Sequence, residues 1–307
     1  MNHRCNARFA SCLGVYLLFH LAIASGLAVA QSSERAFADA IIAKLQANQP
    51  TLAVEQAQLG LQEYPRSELL FQLLGSSLAK CGRYRDARSA FQRAIDLAPQ
   101  DSANYYNVAR VDLELERWDD MVDALRTFLS AVPNDAPARI LLGRAYYNLG
   151  QTLLSIEEFQ HAIKLNDGLP LAHFHLGFAE ASLGNRDFAL KEFEREIEIS
   201  PMFYDSYLMA GKIELESGNL DHAQHLYRRA ILLRPERALA HAGLARVLQE
   251  EGSLSAAEAE FQTASKIDPN NVESHYRLAK LYQRMGKPED AKREFEAVTK
   301  LHAESAQ

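Results

Sequence analysis

Residues 141–150 read LLGRAYYNLG, and variants of this phrase return along the chain in steps of 34 residues. The copies read LLGSSLAKCG at 73–82, NVARVDLELE at 107–116, HLGFAEASLG at 175–184, MAGKIELESG at 209–218, GLARVLQEEG at 243–252 and RLAKLYQRMG at 277–286. A period that never slips indicates a repeat protein, in which each unit buries its apolar surface against its neighbours.

One unit of the repeat, residues 68–101, contains two runs with helical periodicity. Gly82 separates the runs, and Pro99 ends the second because proline has no amide hydrogen with which to continue a helix. The apolar residues of the two runs are Phe71, Leu74 and Leu78, then Ala87, Phe91 and Ala94. The unit is therefore predicted to be a helical hairpin.

The order of residues in the unit resembles the tetratricopeptide repeat, whose pattern is W-x2-L-G-x2-Y, then A-x3-F, then P. The matching residues are Leu142, Gly143 and Tyr146, Leu176 and Gly177, and the pairs Ala87 with Phe91, Ala189 with Phe193, Ala223 with Tyr227, Ala257 with Phe261 and Ala291 with Phe295. Prolines at 65, 99, 133, 201, 235 and 269 close the units. The resemblance implies an all-α, right-handed superhelical solenoid of about eight 34-residue helix-turn-helix repeats.

The units are predicted to start at residues 34, 68, 102, 136, 170, 204, 238 and 272, so that the solenoid spans 34–305. The first of them, 34–67, is degenerate. Departures from the pattern include Glu116 in place of the turn glycine, Ser155 and Glu196 in place of small alanines, and Asp167 in place of the closing proline. Each departure is expected to loosen one hairpin without breaking the period.

The N-terminus has the layout of a secretory signal peptide, predicted as residues 1–30. Arg4 and Arg8 precede an uncharged apolar stretch, and Ala28-Val29-Ala30 precedes Gln31. We therefore expect an exported protein, periplasmic or secreted. The alternative is an uncleaved anchor formed by residues 9–30, which is just long enough to span a bilayer.

Composition limits the kinds of partner. The chain has 48% hydrophobic residues, 24% charged residues and a formal charge of −7. Loss of Arg4 and Arg8 with the signal would lower the charge to −9 and would leave Cys81 as the only cysteine. An acidic chain is a poor candidate for binding nucleic acid or an anionic membrane surface. A lone thiol makes no internal disulfide.

The sequence contains no phosphate-binding glycine loop and no zinc-protease, redox or hydrolase motif, so we expect no enzyme activity and no cofactor. His173, His241 and His275 occupy the fourth residue of three units and are predicted to be packed rings. His222 and His225 are spaced i, i+3 on a second helix. No third ligand is obvious near them, so no metal site is predicted.

The resemblance implies that residues 5, 9, 12 and 13 of each unit point into a concave groove. Residue 9 reads Arg110, Arg144, Phe178, Lys212, Arg246 and Lys280, a basic row in an acidic protein. Residue 5 reads Tyr106, Ile140, Phe174, Leu208, Ala242 and Tyr276, and Tyr147 and Asn148 lie beside the row. Cations over an apolar, aromatic floor are suited to an extended peptide that carries Asp, Glu or a free carboxylate.

An alternative to this groove hypothesis is that the basic row forms ordinary ion pairs within its own helices. Glu114, Glu216 and Glu250 follow Arg110, Lys212 and Arg246 at spacing i, i+4. The groove and ion-pair interpretations both remain open at this stage.

The sequence therefore predicts a protein-interaction scaffold that binds a protein or extended peptide. Two alternatives remain. One is a membrane-anchored accessory subunit of an envelope assembly or secretion complex, and the other is a catalytic or ligand-binding protein whose groove holds a glycan or small anion. Phe295, Val298 and Leu301 share one face of the last predicted helix. That face either packs on its partner helix or serves self-association through the C-terminal hairpin.

Overall fold

The structure, a computed structural model, describes residues 33–305 of the chain, with side chains up to Glu304. Within this range sixteen α-helices follow one another through short turns, and no strand occurs. The residues form two compact units that are divided between Leu149 and Gly150.

The first unit contains seven helices. Each odd-numbered helix is the first helix of a hairpin. They are α1 (33–46), α2 (Pro50–Glu63), α3 (Glu68–Lys80), α4 (Tyr84–Leu97), α5 (Ser102–Glu114), α6 (Trp118–Ala131) and α7 (Ala136–Asn148).

The second unit contains nine helices. They are α8 (Thr152–Leu165), α9 (Ala172–Ser182), α10 (Arg186–Ile199), α11 (Tyr204–Glu216), α12 (Leu220–Leu233), α13 (Ala238–Glu250), α14 (Leu254–Ile267), α15 (Val272–Arg284) and α16 (Pro288–Ser305). The prediction of an all-α solenoid of about eight helix-turn-helix repeats is confirmed.

Polar side chains fix the residue at which several first helices begin. The Leu70 amide donates to Ser67 Oγ at 3.0 Å, and the Ala138 amide donates to the Asp135 carboxylate at 2.7 Å. Each bond satisfies an amide that the helix itself leaves unpaired. The Asn271 side chain caps α15 in the same way.

Glycine forms the turn inside most hairpins. The Arg83 amide donates to the Leu78 carbonyl at 2.9 Å, which is the bond that closes a helix over a left-handed residue. Gly82 supplies that residue with φ of 72°. The other turn glycines, with φ between 71° and 84°, are Gly150, Gly184, Gly218, Gly252 and Gly286.

Two turns use another residue in the same conformation. Glu116 has φ of 54° and Asn48 has φ of 55°. Arg117 still donates its amide to the Asp112 carbonyl at 2.9 Å, so Glu116 keeps the turn closed. A residue with a side chain pays about 1 kcal/mol for the left-handed conformation. Replacing the turn glycine with Glu116 therefore weakens this turn without opening it.

A large buried side chain at the same position of six second helices forms part of the core. A Cβ added to Gly75 would lie 2.7 Å from the ring of Phe91, so the glycine allows the two helices of this hairpin to approach closely. Phe91 is only 3% exposed. Other buried residues at the same repeat position are Leu125, Phe159, Phe193, Tyr227 and Phe261.

The fourth residue of a unit ties the first helix to the end of the preceding hairpin. Tyr105 donates its hydroxyl to the Pro99 carbonyl at 3.1 Å, and Tyr207 donates to the Pro201 carbonyl at 3.2 Å. In three units a histidine performs this task through Nε2, at 3.0 to 3.1 Å from the carbonyl. These histidines are His173, His241 and His275.

The same three histidines use their second ring nitrogen as well. Nδ1 lies 2.6 to 2.7 Å from the carboxylate of Glu192, Glu260 and Glu294 respectively. Burial works to lower the pKa of His173, but the Glu192 and Asp167 acceptors outweigh it and the pKa is raised. The rings are packed, as the sequence predicts, and hydrogen bonds on both nitrogens fix their orientation.

Glu196 lies in the position that holds alanine in several other units, and it is fully buried. The Leu171 amide donates to its Oε1 at 2.9 Å, and the Phe174 amide donates to its Oε2 at 3.4 Å. Glu196 therefore caps α9 from the following helix. The carboxylate replaces the missing local cap of α9, whose preceding residue, Leu171, has φ of 71°.

Some features predicted from the sequence lie at or beyond the limits of the described residues. The predicted signal segment, 1–30, lies outside them. Between residues 33 and 305, no helix combines the length and the apolar character needed to cross a bilayer. Cys81 is a free, half-buried thiol.

Candidate partner-binding site

In the first unit, the predicted groove residues lie on α5 and α7. Arg110 is exposed, and Tyr106 is half-buried with its ring centroid 5.0 Å from that of Phe128. Burial raises the pKa of the Tyr106 hydroxyl. Arg144 is also half-buried, and this desolvation lowers the pKa of its guanidinium although Glu114 opposes the shift.

The remaining predicted residues of α7 do not all reach the surface. Ile140 is only 8% exposed and belongs to the interior, which corrects its assignment to the groove. Asn148 is exposed, and its side-chain amide donates to the Arg144 carbonyl of the same helix at 2.9 Å. Tyr147 is half-buried. In this unit the accessible cation of the row is therefore Arg110.

In the second unit, α9 carries an aromatic cluster. The Phe174 ring centroid lies 5.0 Å from that of Phe203, 5.7 Å from that of Phe193 and 6.1 Å from that of Phe178. Phe178 is 37% exposed. The position that carries a cation in five other units here presents an apolar ring to the surface.

The best-formed cavity among the predicted groove residues lies in the second unit, between α11, α13 and α15. Its volume is about 320 Å³. Its walls contain the predicted residues Lys212 and Arg246, together with Leu208, Met209, Tyr227, Leu239, Ala242, Gly243, Glu273, Ser274 and Arg277. We call this cavity the groove pocket.

Tyr227 reaches the groove pocket from the second helix behind it because the next hairpin makes room for its ring. A Cβ added to Gly243 would lie 2.2 Å from Cε1 of Tyr227. Phe193 and Phe261 occupy the equivalent position in the neighbouring units, and Met209 stands where Gly243 stands in the preceding one. Tyr227 thus replaces a phenylalanine and Gly243 replaces a larger residue. Together these two differences bring the phenol ring of Tyr227 to the pocket.

The polar groups of the groove pocket are suited to an anion. Burial raises the pKa of Tyr227 to about 12, so that its hydroxyl is a hydrogen-bond donor at neutral pH. Arg277 is neutralised by Glu273, whose carboxylate lies 2.5 Å from its Nε. Within residues 33–304, neither Lys212 nor Arg246 forms an ion pair.

The ion pairs expected along the basic row do not form in the described part of the chain. Glu216 instead pairs with Arg186, at 3.2 Å. Arg110 and Glu114 make no salt bridge with each other, although they are one helical turn apart. Within the described chain, Arg110, Lys212 and Arg246 are therefore without the ion pairs that their spacing to Glu114, Glu216 and Glu250 suggests.

On α15 the last two predicted residues contact each other. Lys280 Nζ lies 5.8 Å from the ring centroid of Tyr276, which is 43% exposed and packs edge-on against Phe295. This is a cation–π pair on the surface. Phe295 itself is half-buried against the core, and a cavity lined partly by Phe295, Lys292 and Thr299 follows along α16.

One group of potential metal ligands occurs in the second unit. Glu194, Glu214 and His222 come from three successive helices, and one ligand atom of each lies within 4.8 Å of the others. The i, i+3 spacing of His222 and His225 draws attention to His222 in the sequence. The sequence gives no such signal for Glu194 and Glu214, which lie on the two preceding helices.

The comparisons with known proteins all identify the same type of repeat, the tetratricopeptide repeat. Four sequence profiles of the tetratricopeptide repeat match the chain, at residues 69–101, 136–168, 208–272 and 248–307. Tetratricopeptide repeat protein 33 of Homo sapiens is 32% identical over 91 residues, which are 30% of this chain and 35% of that protein. The match thus spans about a third of the length of this relative.

Solved structures show the same fold. A tetratricopeptide repeat protein from Parabacteroides merdae superposes with a TM-score of 0.62 at 16% identity, covering 82% of this chain and 99% of that one. YrrB, described as a TPR protein with an unusual peptide-binding site, superposes with a TM-score of 0.50 at 23% identity, covering 61% of this chain and 96% of that one.

Proposed function

Because the chain belongs to the tetratricopeptide repeat proteins, we propose that it is a protein-interaction scaffold whose groove pocket receives an extended segment of a partner protein. The observation that carries this proposal is the combination, in one cavity of about 320 Å³, of apolar walls with cations that have no carboxylate partner in the described chain. Unpaired cations beside an apolar wall favour a ligand that supplies a carboxylate acceptor, because charge-assisted hydrogen bonds are stronger than neutral ones.

The chemistry of the groove pocket favours a peptide in which an apolar side chain stands next to a carboxylate. Leu208, Met209 and Leu239 offer the apolar contact, and Leu239 is 59% exposed. Lys212 and Arg246 offer charge-assisted hydrogen bonds, which are stronger than neutral ones. The resemblance in fold to YrrB, whose described peptide-binding site belongs to that protein, is consistent with a peptide ligand here.

The proposal is tested with an array of peptides in which Asp and Glu are exchanged for Asn and Gln. We expect the wild-type chain to retain acidic peptides preferentially and the variant Lys212→Glu/Arg246→Glu to lose them, with at least about tenfold weaker binding, because two attractive charges become repulsive. Binding is measured by fluorescence anisotropy on the selected peptides at two salt concentrations.

The matched control is Arg228→Glu/Lys266→Glu, which makes the same change of charge at two exposed residues of second helices, away from the groove pocket. It should bind as the wild type does. If both variants lose the same amount of peptide affinity, the effect comes from net charge and not from the groove pocket. If all three proteins bind equally, the partner binds another surface.

We further propose that the scaffold acts outside the cytoplasm. The proposal rests on the apolar stretch and the Ala28-Val29-Ala30 sequence within residues 1–30. Sequencing the N-terminus of protein recovered from an exporting host is expected to begin at Gln31. An intact N-terminus on membrane-bound protein would support the alternative of an accessory subunit anchored by residues 9–30.

A further inference from the structure

Two carboxylates and an imidazole converge where three consecutive helices of the second unit meet. Glu194 lies on α10, Glu214 on α11 and His222 on α12, with one ligand atom of each within 4.8 Å of the others. Glu214 is the buried member, since only 6% of its side chain is exposed. His222 Nδ1 lies 2.7 Å from Glu214 Oε1.

The repeat shows what normally occupies this contact. Residue 25 of one unit meets residue 11 of the next, and in two other pairs of units these residues complement each other. Arg126 donates to the Tyr146 hydroxyl at 2.9 Å, and Gln262 donates to the Tyr282 hydroxyl at 2.9 Å. Glu194 and Glu214 occupy the same two positions. Here two carboxylates meet instead, and a cation held between them would make this contact favourable.

The side-chain amide that contacts this site carries no charge of its own. Asn219 donates its amide to Glu214 Oε2 at 2.6 Å, which orients the buried carboxylate but leaves its charge in place. Glu194 forms no hydrogen bond or ion pair within residues 33–304. The nearby Arg186 already pairs with Glu216.

We propose that Glu194, Glu214 and His222 form a binding site for a divalent transition-metal ion, with Zn²⁺ as the best fit. One imidazole nitrogen and two carboxylate oxygens are a ligand set that zinc accepts, and water completes the coordination. The amide of Asn219 then acts as the outer partner that holds a ligating carboxylate in place. The ion would join three helices of adjacent hairpins and would stabilise the second unit.

The preceding contact of the same kind provides an internal control. Glu180 is buried like Glu214 and accepts a hydrogen bond at 2.6 Å from Asn185, which corresponds to Asn219. Phe188 stands where His222 stands, and Gln160 stands where Glu194 stands. The Glu–Asn pair therefore also occurs in a unit that lacks the other two ligands, and only at Glu214, among the described residues, do a second carboxylate and an imidazole join it.

The test is a competition for Zn²⁺ between the full chain, made without a histidine tag, and a chromogenic chelator at neutral pH. We expect one strong site in the wild type and more than about tenfold weaker binding in His222→Ala and in Glu194→Gln, since even outer partners of a metal contribute that much. Glu180→Gln should bind as the wild type does. Circular dichroism checks that each variant keeps its helix content.

A second readout is thermal unfolding with and without Zn²⁺, because an ion that binds only the folded chain raises its melting temperature. The rise should appear in the wild type and in Glu180→Gln and be absent in His222→Ala. Wild-type protein without a stoichiometric site, or undiminished binding by both His222→Ala and Glu194→Gln, would overturn the proposal.

Discussion

Replacing Glu196 with alanine is expected to destabilise the second unit by about 3 kcal/mol, although four other units carry alanine at this position. Glu196 is fully buried and accepts hydrogen bonds from the amides of Leu171 and Phe174 at the start of α9. Alanine removes both acceptors and leaves a cavity. A comparison of repeats alone would predict the opposite sign, since alanine restores the pattern.

The measurement combines urea unfolding with amide hydrogen exchange, because a repeat protein can open locally before it unfolds as a whole. Exchange at the start of α9 should accelerate more in Glu196→Ala than exchange on α14. Glu196→Gln keeps one acceptor at similar volume and should cost less than the alanine variant. Glu198→Ala, which changes the same charge at an exposed residue of α10, should cost less than about 1 kcal/mol.

The contrast at Glu196 shows which part of the fold can be predicted from the sequence. The period of 34 residues, the turn glycines and the closing prolines suffice for the helical hairpins, because they determine local backbone conformation. These signals do not reveal a long-range contact that replaces a missing helix cap or a missing proline. Asp167 in place of a proline indicates a disturbed loop. It does not indicate that Glu196, 25 residues after Leu171, caps the next helix.

The candidate site is only partly predictable for a related reason. The resemblance identifies the residues of first helices, and so it finds Lys212 and Arg246. It does not identify Tyr227, which belongs to a second helix and enters the groove pocket only because Gly243 leaves space. Ile140 shows the converse, since a residue at a groove position is buried when its neighbours cover it.

Comparison of equivalent positions across the repeats recovers some of this missing information. Each histidine at residue 4 has a glutamate 19 residues later, and each such pair is in contact. In the same way, positions 25 and 11 of successive units hold the pairs Arg126–Tyr146 and Gln262–Tyr282. The pair Glu194–Glu214 then differs visibly from these two, because both of its residues carry a carboxylate.

The second large effect is expected at Gly243, where alanine should destabilise the second unit by about 2 kcal/mol. The new methyl group would lie 2.2 Å from the Tyr227 ring, which is 2% exposed and has little room to move. In an unstrained helix the same change would stabilise, because alanine is favoured over glycine by about 1 kcal/mol. The sign of the effect therefore reports the clash.

A double-mutant cycle isolates this clash. Leucine occurs at the position of Tyr227 in another unit, as Leu125, so Tyr227→Leu is compatible with the repeat. In that background Gly243→Ala should no longer destabilise and should add up to about 1 kcal/mol of stability, as the helix preference of alanine predicts. Urea unfolding of the four proteins measures the coupling. Equal costs of Gly243→Ala in both backgrounds would contradict the view that Gly243 is there to admit the Tyr227 ring to the groove pocket.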